Sequence, residues 1–275
     1  MSEAQPLRAG PGRRNPMRVE QLPLCGGGTL AVYLREASAR MPNALRRPMV
    51  IVVPGGGYEH VSPREGDPVA LQFAAAGYHT AVLTYSVGEQ ARNCQPLRQL
   101  SEALGLVRVH AEEWGVLPEK IAVCGFSAGG HLALSGAVLS LPEGGAMNRP
   151  NALVLAYPVV TAGEYAHRGS FCQLTGSSDP AAHAAFTLED KITPSAPPTF
   201  LWHTMEDGSV PVENSLLLLS ALHKAGVPCE AHFFEKGRHG TSICTAEVDA
   251  ADRHRHHWVE LAVEWLGQTF EWDLF

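Results

Sequence analysis

Long apolar runs and an excess of basic residues are both absent from this sequence. No run reaches the roughly 18 apolar residues that a membrane-spanning helix needs. The 21 Lys and Arg residues stand against 28 Asp and Glu residues, a formal net charge of −7. Nucleic acid binding requires a concentrated basic face, so we expect neither a membrane nor a nucleic acid as partner. Ordinary contents of hydrophobic (45%) and charged (18%) residues over 275 positions exclude a disordered or fibrous chain.

Cysteine is sparse, and none of the 6 cysteines forms a C-x-x-C pair with another. Residues 1–18 lack the apolar core of a secretory signal and are predicted to form a solvated N-terminal arm. Scattered cysteines without such a signal are typical of reduced thiols. The sequence therefore predicts a cytoplasmic protein.

Alternating apolar runs and helical patterns predict the secondary structure. Residues 19–24 and 29–34 flank a CGGG turn and predict an antiparallel hairpin. Further apolar runs predict strands, and segments with apolar residues at spacings of three and four predict helices. The strands are expected at residues 48–54, 79–86, 120–125, 152–157, 199–203 and 229–234, and the helices at 67–76, 96–114, 131–139, 212–225 and 249–270.

This alternation implies an α/β fold with one mostly parallel central sheet, helices on both of its faces and the antiparallel hairpin at its N-terminal end. Residues 19–275 are predicted to form a single domain, since α/β folds often reach about 250 residues as one unit. The periodicity fades between residues 161 and 198. That stretch is long for a connection, so we expect an insert or lid with short helices of its own.

The strongest local signal is Gly125-Phe126-Ser127-Ala128-Gly129, which matches G-x-S-x-G. The segment follows a predicted strand and precedes a predicted helix, as a nucleophile elbow requires. Its glycines remove side chains that would collide in a strained strand-to-helix turn. The turn also places the serine hydroxyl near the positive end of the helix. We therefore predict that Ser127 is a nucleophile.

A serine nucleophile needs a base, and the base needs an orienting acid. After such an elbow the acid and then the base follow along the chain. Asp207 lies just after the predicted strand at 199–203, where open α/β sheets place their sites. Glu206 is the adjacent alternative, but the DGSVP stretch that begins at Asp207 opens the next helix. His239, in the loop after the strand at 229–234, is in the position expected for the base.

Other histidines, among 13, offer alternatives. His131 and His203 are candidates to line the site. His254 and His257 are spaced as i and i+3, but no acidic or cysteine partner completes a metal site around them. We therefore predict no bound metal.

A glycine-rich segment, PGGGY at residues 54–58, directly follows the first predicted parallel strand. Its glycines let the backbone turn N–H groups inward and approach a ligand closely. In this topology such a loop supplies oxyanion donors, together with the N–H of the residue after the nucleophile, Ala128. A plain glycine-rich turn is the alternative. The segment lacks the G-K-[ST] ending of a phosphate-binding loop.

Together, PGGGY, GFSAGGH, DGSVP and the late GRHG resemble the α/β-hydrolase fold esterases. They look most like the bacterial acetyl-esterase and acetylxylan-esterase branch related to the hormone-sensitive-lipase-like carboxylesterases. The resemblance covers residues 19–270, although Pro54 stands where many relatives have the His of HGGG. It implies a triad, an oxyanion hole and no metal or organic cofactor. The implied triad is Ser127, Asp207 and His239, and the implied oxyanion donors are Gly56, Gly57 and Ala128.

The activity that the resemblance implies is that of a serine carboxylesterase acting on short-chain, acetyl-type esters of carbohydrate-derived substrates such as acetylated xylo-oligosaccharides. The expected partner is a small-molecule or oligosaccharide ester, and the sequence is compatible with a homo-oligomer. A feruloyl-type esterase and a small prolyl-oligopeptidase-like peptidase are alternatives within the hydrolases. A catalytically silent binding module with the same fold is the alternative from another class.

Bulky side chains beside the glycines predict a small acyl pocket. Tyr58 follows the oxyanion glycines and Phe126 precedes the nucleophile, so both are expected to crowd the acyl side. Tyr165 and Phe171 of the insert are expected to roof the alcohol side. The alternative is that Phe126 only packs beneath the elbow and that the insert lies open.

Overall fold

Eight strands in the described part of the chain form one sheet. A computed structural model describes residues 17–141, 148–272 and 274, so the predicted N-terminal arm lies outside the described residues except for its last two. Those two residues begin the first strand, two positions earlier than predicted. The strands are β1 (Met17–Pro23), β2 (Thr29–Arg35), β3 (Arg47–Val53), β4 (His79–Thr84), β5 (Val116–Phe126), β6 (Ala152–Ala156), β7 (Thr199–Thr204) and β8 (Cys229–Phe234).

The order of the strands across the sheet is β1-β2-β4-β3-β5-β6-β7-β8. β1 pairs with β2 and β2 with β4 in antiparallel fashion. All the remaining pairs, from β4 to β8, are parallel. The predicted fold class, a mostly parallel sheet with an antiparallel N-terminal hairpin, is confirmed.

Helices cover both faces of the sheet, which is why β3 is an uninterrupted apolar run after its first residue, Arg47, with every residue buried. Met49, Ile51 and Val53 share a core cluster with side chains from the second, fourth and seventh helices. Val50 and Val52 share the opposite cluster with side chains from the first and ninth helices. The helices are α1 (Asp67–Ala75), α2 (Gln95–Val109), α3 (Ala111–Trp114), α4 (Ala128–Val138), α5 (Arg168–Thr175), α6 (Pro180–His183), α7 (Glu213–Ala225), α8 (Arg253–His256) and α9 (Trp258–Thr269).

Two helices predicted as continuous are interrupted. The helix predicted at 96–114 divides into α2 and α3 at His110, whose φ of −90° and ψ of 6° leave the helical region. The helix predicted at 249–270 starts late, because Asp252 caps α8 by accepting the N–H of Arg255 at 2.9 Å. Apolar spacing continues across His110, so periodicity did not reveal that break, whereas residues 252–257 are all charged residues or histidines.

The insert at residues 161–198 contains α5, α6 and 3-10 turns at Ala184–Phe186 and Glu189–Lys191. It leaves the sheet after β6 and returns at β7. Because β6 and β7 are parallel neighbours, the insert begins on the carboxyl-end side of the sheet. This is the side on which α/β sheets place their sites.

Two further features of the fold concern the length of its helices and the state of its cysteines. None of the helices in the part of the chain that the structure describes has the length and apolarity that crossing a membrane requires. All six cysteines are free thiols, and Cys124 and Cys244 are buried. Burial raises the pKa of the Cys124 thiol well above its usual value, as expected for a thiol that acts as a small apolar side chain.

Candidate active site

Ser127 occupies a strained turn between β5 and α4. Its φ of 53° and ψ of −120° lie outside the regions that residues with a side chain ordinarily adopt. The neighbouring glycines are required by close approach: a Cβ on Gly125 would lie 2.5 Å from the carbonyl oxygen of Gly129. A Cβ on Gly129 would collide with the carbonyl oxygen of Val53 at the end of β3. The chain can therefore turn this sharply only with glycine at both positions.

The structure brings Ser127, His239 and Asp207 together, although they come from three separate loops. Ser127 Oγ lies 2.8 Å from His239 Nε2, and His239 Nδ1 lies 2.6 Å from Asp207 Oδ2. A carboxylate only accepts, so the imidazole carries its proton on Nδ1 and donates it to Asp207. Nε2 is then free to accept the serine proton. This is the geometry of a nucleophile, a base and an orienting acid.

Asp207 is held by more donors than His239 alone. Its Oδ1 accepts the N–H groups of Ser209 and Val210, both at 2.9 Å. Its Oδ2 also lies 3.2 Å from Nε2 of His203. Burial on its own raises the pKa of the Asp207 carboxyl, but the hydrogen bonds from His203 and His239 outweigh burial and hold the pKa well below its usual value. The carboxylate is therefore ionised and fixed in orientation.

The adjacent alternative, Glu206, has a different environment. Glu206 is exposed, and its carboxylate accepts the N–H of Gly237 at 3.4 Å. Among the described residues, the Glu206 side chain is hydrogen-bonded to neither His239 nor Ser127. Of the two neighbouring carboxylates, only Asp207 is in hydrogen-bond contact with the base.

His203, a candidate to line the site, lies behind the acid instead. It is fully buried, and its Nε2 faces both Asp207 Oδ2 and the carbonyl oxygen of Val210 at 3.1 Å. Both of these groups accept, so Nε2 carries the proton. Its Nδ1 lies 2.7 Å from Ser215 Oγ, whose hydroxyl then donates to it. His203 thus orients the acid and does not face the cleft.

The glycine-rich loop faces Ser127 with two of its three glycines. Gly55 donates its N–H to Glu65 Oε2 at 2.8 Å, so that N–H is not available to a substrate. Gly56 and Gly57 line the cleft beside Ser127. Gly56 has a φ of 124° and turns its carbonyl away, where it accepts the N–H groups of Glu59 and His60. Among the described residues, no acceptor occupies the N–H groups of Gly56 and Gly57.

Glu65 is a buried carboxylate behind the site that sequence reasoning missed. Its Oε1 accepts the hydroxyl of Tyr157 at 2.7 Å, and Tyr157 in turn accepts the N–H of Ser242 at 2.8 Å. The Tyr157 ring packs edge-on against His239, with centroids 4.9 Å apart. Burial, reinforced by the charge of Glu65, raises the pKa of Tyr157 well above its usual value. Glu65 therefore connects the glycine loop to the loop that carries the base.

Two residues predicted to crowd the acyl pocket do not line the cleft. Tyr58 is 1% exposed, and its hydroxyl lies 2.9 Å from His131 Nδ1. Phe126 is fully buried, with its ring edge-on to Tyr157 and Trp258 at 5.8 and 5.9 Å. The expectation that they face the substrate is therefore wrong. Side chains next to a nucleophile in the chain point to the opposite side of the turn, where they pack in the core.

The insert contributes a different residue from those expected. Phe171 is buried, with its ring edge-on to His131 and stacked on His183, so it does not roof the cleft. Tyr165 accepts a hydrogen bond from Asn214 through its carbonyl oxygen. The residue that the insert brings to the cleft is His167. No motif in the sequence marked this histidine.

The cleft that contains Ser127 and His239 has a volume of about 290 Å³. Twelve of the described residues line it. None of them has an aliphatic or an aromatic hydrocarbon side chain. Glu59, His60, Arg64 and Glu65 form one wall, and His167 comes from the insert.

A larger groove of about 580 Å³ between α1 and α9 contains none of the predicted site residues. Within the described ranges, no three His, Cys, Asp or Glu side chains are grouped to hold a metal.

His131 joins the elbow helix to both the glycine loop and the insert. Its Nδ1 accepts the hydroxyl of Tyr58, and its Nε2 donates to the carbonyl oxygen of Phe186 at 2.9 Å. Burial lowers the pKa of His131 from 6.5 to about 4. The ring is therefore neutral in the folded protein at neutral pH.

This histidine makes the stability of the fold pH-dependent. Below pH 6.5 the unfolded chain binds a proton at residue 131 that the folded chain binds only near pH 4. The free energy of unfolding should thus fall as the pH drops through this range, by about 3 kcal/mol from this residue. His131→Asn keeps an acceptor for Tyr58 but does not titrate, so urea unfolding from pH 7 to pH 4 should show a weaker pH dependence for the variant. Equal pH dependence in both proteins would contradict the assignment.

Comparison with known proteins gives two family matches and several relatives. The model of the prolyl oligopeptidase family matches residues 98–271, and a model described as BD-FAE matches residues 36–144. Endo-1,4-beta-xylanase B of Butyrivibrio fibrisolvens is 34% identical over 214 residues, which are 74% of this chain and 34% of that protein. The acetylxylan esterase of Xylanibacter ruminicola is 29% identical over 203 residues, which are 71% of this chain and 41% of that protein. The chain thus spans between a third and a half of the length of these curated relatives.

A solved structure is similar over nearly the whole chain. It is an acetyl ester-xyloside bifunctional hydrolase from Caldicellulosiruptor lactoaceticus, 36% identical, with a TM-score of 0.78. The match covers 90% of this chain and 89% of that one. Sequence and fold therefore agree over the elements that carry the site.

Proposed function

The chain belongs to the α/β-hydrolase family of esterases, and from this membership we propose that it is a serine carboxylesterase for short acyl esters of carbohydrate-derived alcohols. Acetylated xylo-oligosaccharides are the proposed substrates. The relatives support this choice, since they include an acetylxylan esterase and an acetyl ester-xyloside hydrolase. The proposed triad is Ser127, His239 and Asp207.

The proposed mechanism follows from the hydrogen bonds of the triad. His239 Nε2 takes the proton of Ser127 Oγ, which lies 2.8 Å away, as that oxygen attacks the ester carbonyl. The carbonyl oxygen becomes an oxyanion, which the N–H groups of Gly56, Gly57 and Ala128 bind. One such donor is worth about 10²–10³ in kcat.

Collapse of the tetrahedral intermediate breaks the bond to the alcohol oxygen. His239 gives its proton to that oxygen and the alcohol departs. The acyl group remains bound to Ser127. A water molecule then gives a proton to His239 and attacks the acyl carbonyl. The acid departs, and the proton returns to Ser127 Oγ. Throughout, Asp207 holds the imidazole in the tautomer whose Nε2 accepts.

The observation that carries the substrate proposal is the polar lining of the cleft. A long acyl chain gains about 0.8 kcal/mol for each methylene that it buries against apolar surface. No aliphatic or aromatic hydrocarbon side chain lines this cleft in the described residues, so a long chain would contact only glycines and the carbon atoms of polar side chains there. A feruloyl ring would likewise find no hydrocarbon side chain to pack against in this cleft. An acetyl group needs little apolar surface, and a sugar can hydrogen-bond to the polar walls.

The prolyl oligopeptidase match favours a peptidase as the second candidate. A peptidase with this specificity must hold a proline ring, which is apolar on most of its surface. The cleft offers His167, Glu59 and Arg64 where such a ring would need apolar contacts. We therefore place the esterase first. A silent binding module is disfavoured because it would not need three residues at catalytic hydrogen-bond distances.

Acyl-chain preference is the most direct test. We expect kcat/KM not to rise from p-nitrophenyl acetate through butyrate to octanoate, because the added methylenes find no hydrocarbon side chain to bury against. Rising values through octanoate would contradict the proposal. A parallel panel of acetylated xylo-oligosaccharide, a feruloyl ester and a prolyl amide should give turnover on the acetylated substrate. Preference for the feruloyl ester or the amide would select the corresponding alternative.

A further inference from the structure

One ring nitrogen of His167 is hydrogen-bonded within the fold, and among the described residues the other has no partner. The residue immediately precedes α5, and its Nδ1 accepts the N–H of Ser170 at 3.3 Å while lying 2.8 Å from Ser170 Oγ. A nitrogen that accepts a backbone N–H carries no proton, so the proton of the neutral ring is on Nε2. Among the described residues, no acceptor is hydrogen-bonded to Nε2.

The His167 ring, which carries the unpaired Nε2, lines the cleft that contains the proposed nucleophile. His167 lines this cleft together with Ser127, His239 and the two oxyanion glycines. A Cβ built on Gly57 would lie 3.9 Å from His167 Cε1, the ring carbon bonded to Nε2. Burial, and secondly the nearby ring of His239, lower the pKa of His167, so the ring is a neutral donor at neutral pH.

Three other donors that line the cleft already hydrogen-bond within the protein, whereas the exposed His60 has no side-chain hydrogen bond among the described residues. Arg64 directs both Nε and Nη2 to the carbonyl oxygen of Val248. The N–H of Ser209 is bound to Asp207, and His239 belongs to the proposed triad. His167 therefore offers a hydrogen-bond donor whose proton position the helix cap fixes and for which the described residues supply no acceptor.

We propose that His167 Nε2 donates a hydrogen bond to a hydroxyl oxygen of the alcohol part of the ester, and so selects polyhydroxylated esters over simple alkyl esters. This proposal rests on the proposed esterase function and adds the residue that recognises the alcohol. The acyl group is small, so the remaining cleft takes the alcohol. A hydroxyl bound to His167 can in turn donate to an acceptor, and the cleft lining includes the exposed carboxylate of Glu59.

The test uses a variant that removes only the outer nitrogen. His167→Asn keeps an oxygen that can cap α5 in place of Nδ1, because asparagine is a favoured N-cap residue, but it is too short to replace Nε2. His223→Asn is the matched control, since His223 is exposed on α7 and does not line the cleft. Three acetyl esters are compared: p-nitrophenyl acetate, cyclohexyl acetate, and a methyl xyloside bearing one acetyl group. The cyclohexyl ring has the size of the sugar ring but no hydroxyl.

We expect His167→Asn to lower kcat/KM for the acetylated xyloside by roughly ten-fold, the value of one hydrogen bond, and to change the other two esters by less than about two-fold. Thermal melting by circular dichroism, compared between His167→Asn, His223→Asn and the parent, checks that the fold is intact. Equal losses on all three esters, or no loss on any, would overturn the proposal. So would a parent protein that hydrolyses p-nitrophenyl acetate but no acetylated xyloside. A parent without turnover of any of the three would instead overturn the esterase function itself, and this proposal with it.

Discussion

Ser127→Ala should abolish ester hydrolysis while leaving the fold intact. Removing Oγ deletes the atom that attacks the carbonyl, and loss of a triad serine costs on the order of 10⁶ in kcat. The matched control is Ser135→Ala on the same helix, α4. Ser135 Oγ is buried and has no hydrogen-bond partner among the described residues, so its loss should leave turnover unchanged. Turnover of p-nitrophenyl acetate and thermal melting by circular dichroism measure the two effects. A folded Ser127→Ala protein with near-parental turnover would show that the nucleophile lies elsewhere.

Asp207→Asn should cost about 10⁴ in kcat, because the environment of the acid forces the wrong tautomer on the base. Oδ1 of Asp207 accepts two backbone N–H groups, from Ser209 and Val210, so the amide oxygen of asparagine must take that position. The amide nitrogen then faces His239 Nδ1, which lies 2.6 Å from Oδ2 in the parent. A donor there favours a proton on Nε2, and Nε2 can no longer accept the proton of Ser127.

Glu206→Gln is the control for the acid, since Glu206 is exposed and, among the described residues, its hydrogen bond is to the N–H of Gly237. We expect turnover of p-nitrophenyl acetate within about two-fold of the parent. Measuring kcat for both variants ranks the two neighbouring carboxylates. The reverse ranking, with a large loss for Glu206→Gln and a small one for Asp207→Asn, would assign the acid to Glu206.

The fold could be predicted because the signals that determine it are local. A strand buried on both faces must be an apolar run, and β3 is one; an elbow that tolerates no Cβ at two positions must carry glycines there. The predicted order of strands and helices follows from such runs, each of which needs only its neighbours in the chain. The break at His110 was missed because it depends on a dihedral angle and the apolar spacing runs through it, and the late start at Asp252 was missed because it depends on a cap.

The surroundings of the site could be predicted only in part because they depend on contacts distant in the chain. Glu65 and Tyr157 bond across 92 positions, and neither stands in a motif. Tyr58 and Phe126 do stand in motifs, yet a motif gives a position along the chain and not the side to which a side chain points. His167 acquires its role from a helix cap in an insert whose sequence shows little periodicity. Each of these assignments needed the three-dimensional arrangement.

The dihedral angles of Ser127 have a consequence for engineering this protein. A residue held in such a conformation costs of order 1–3 kcal/mol, whereas native proteins have a total stability of only about 5–15 kcal/mol. Glycine at position 127 would relieve that strain, because it has no Cβ to collide. A laboratory evolution that selects for heat resistance alone would therefore reward loss of the proposed nucleophile. Reactivity and thermostability oppose each other at this one residue, so thermostable variants of this chain have to be selected for turnover in the same round.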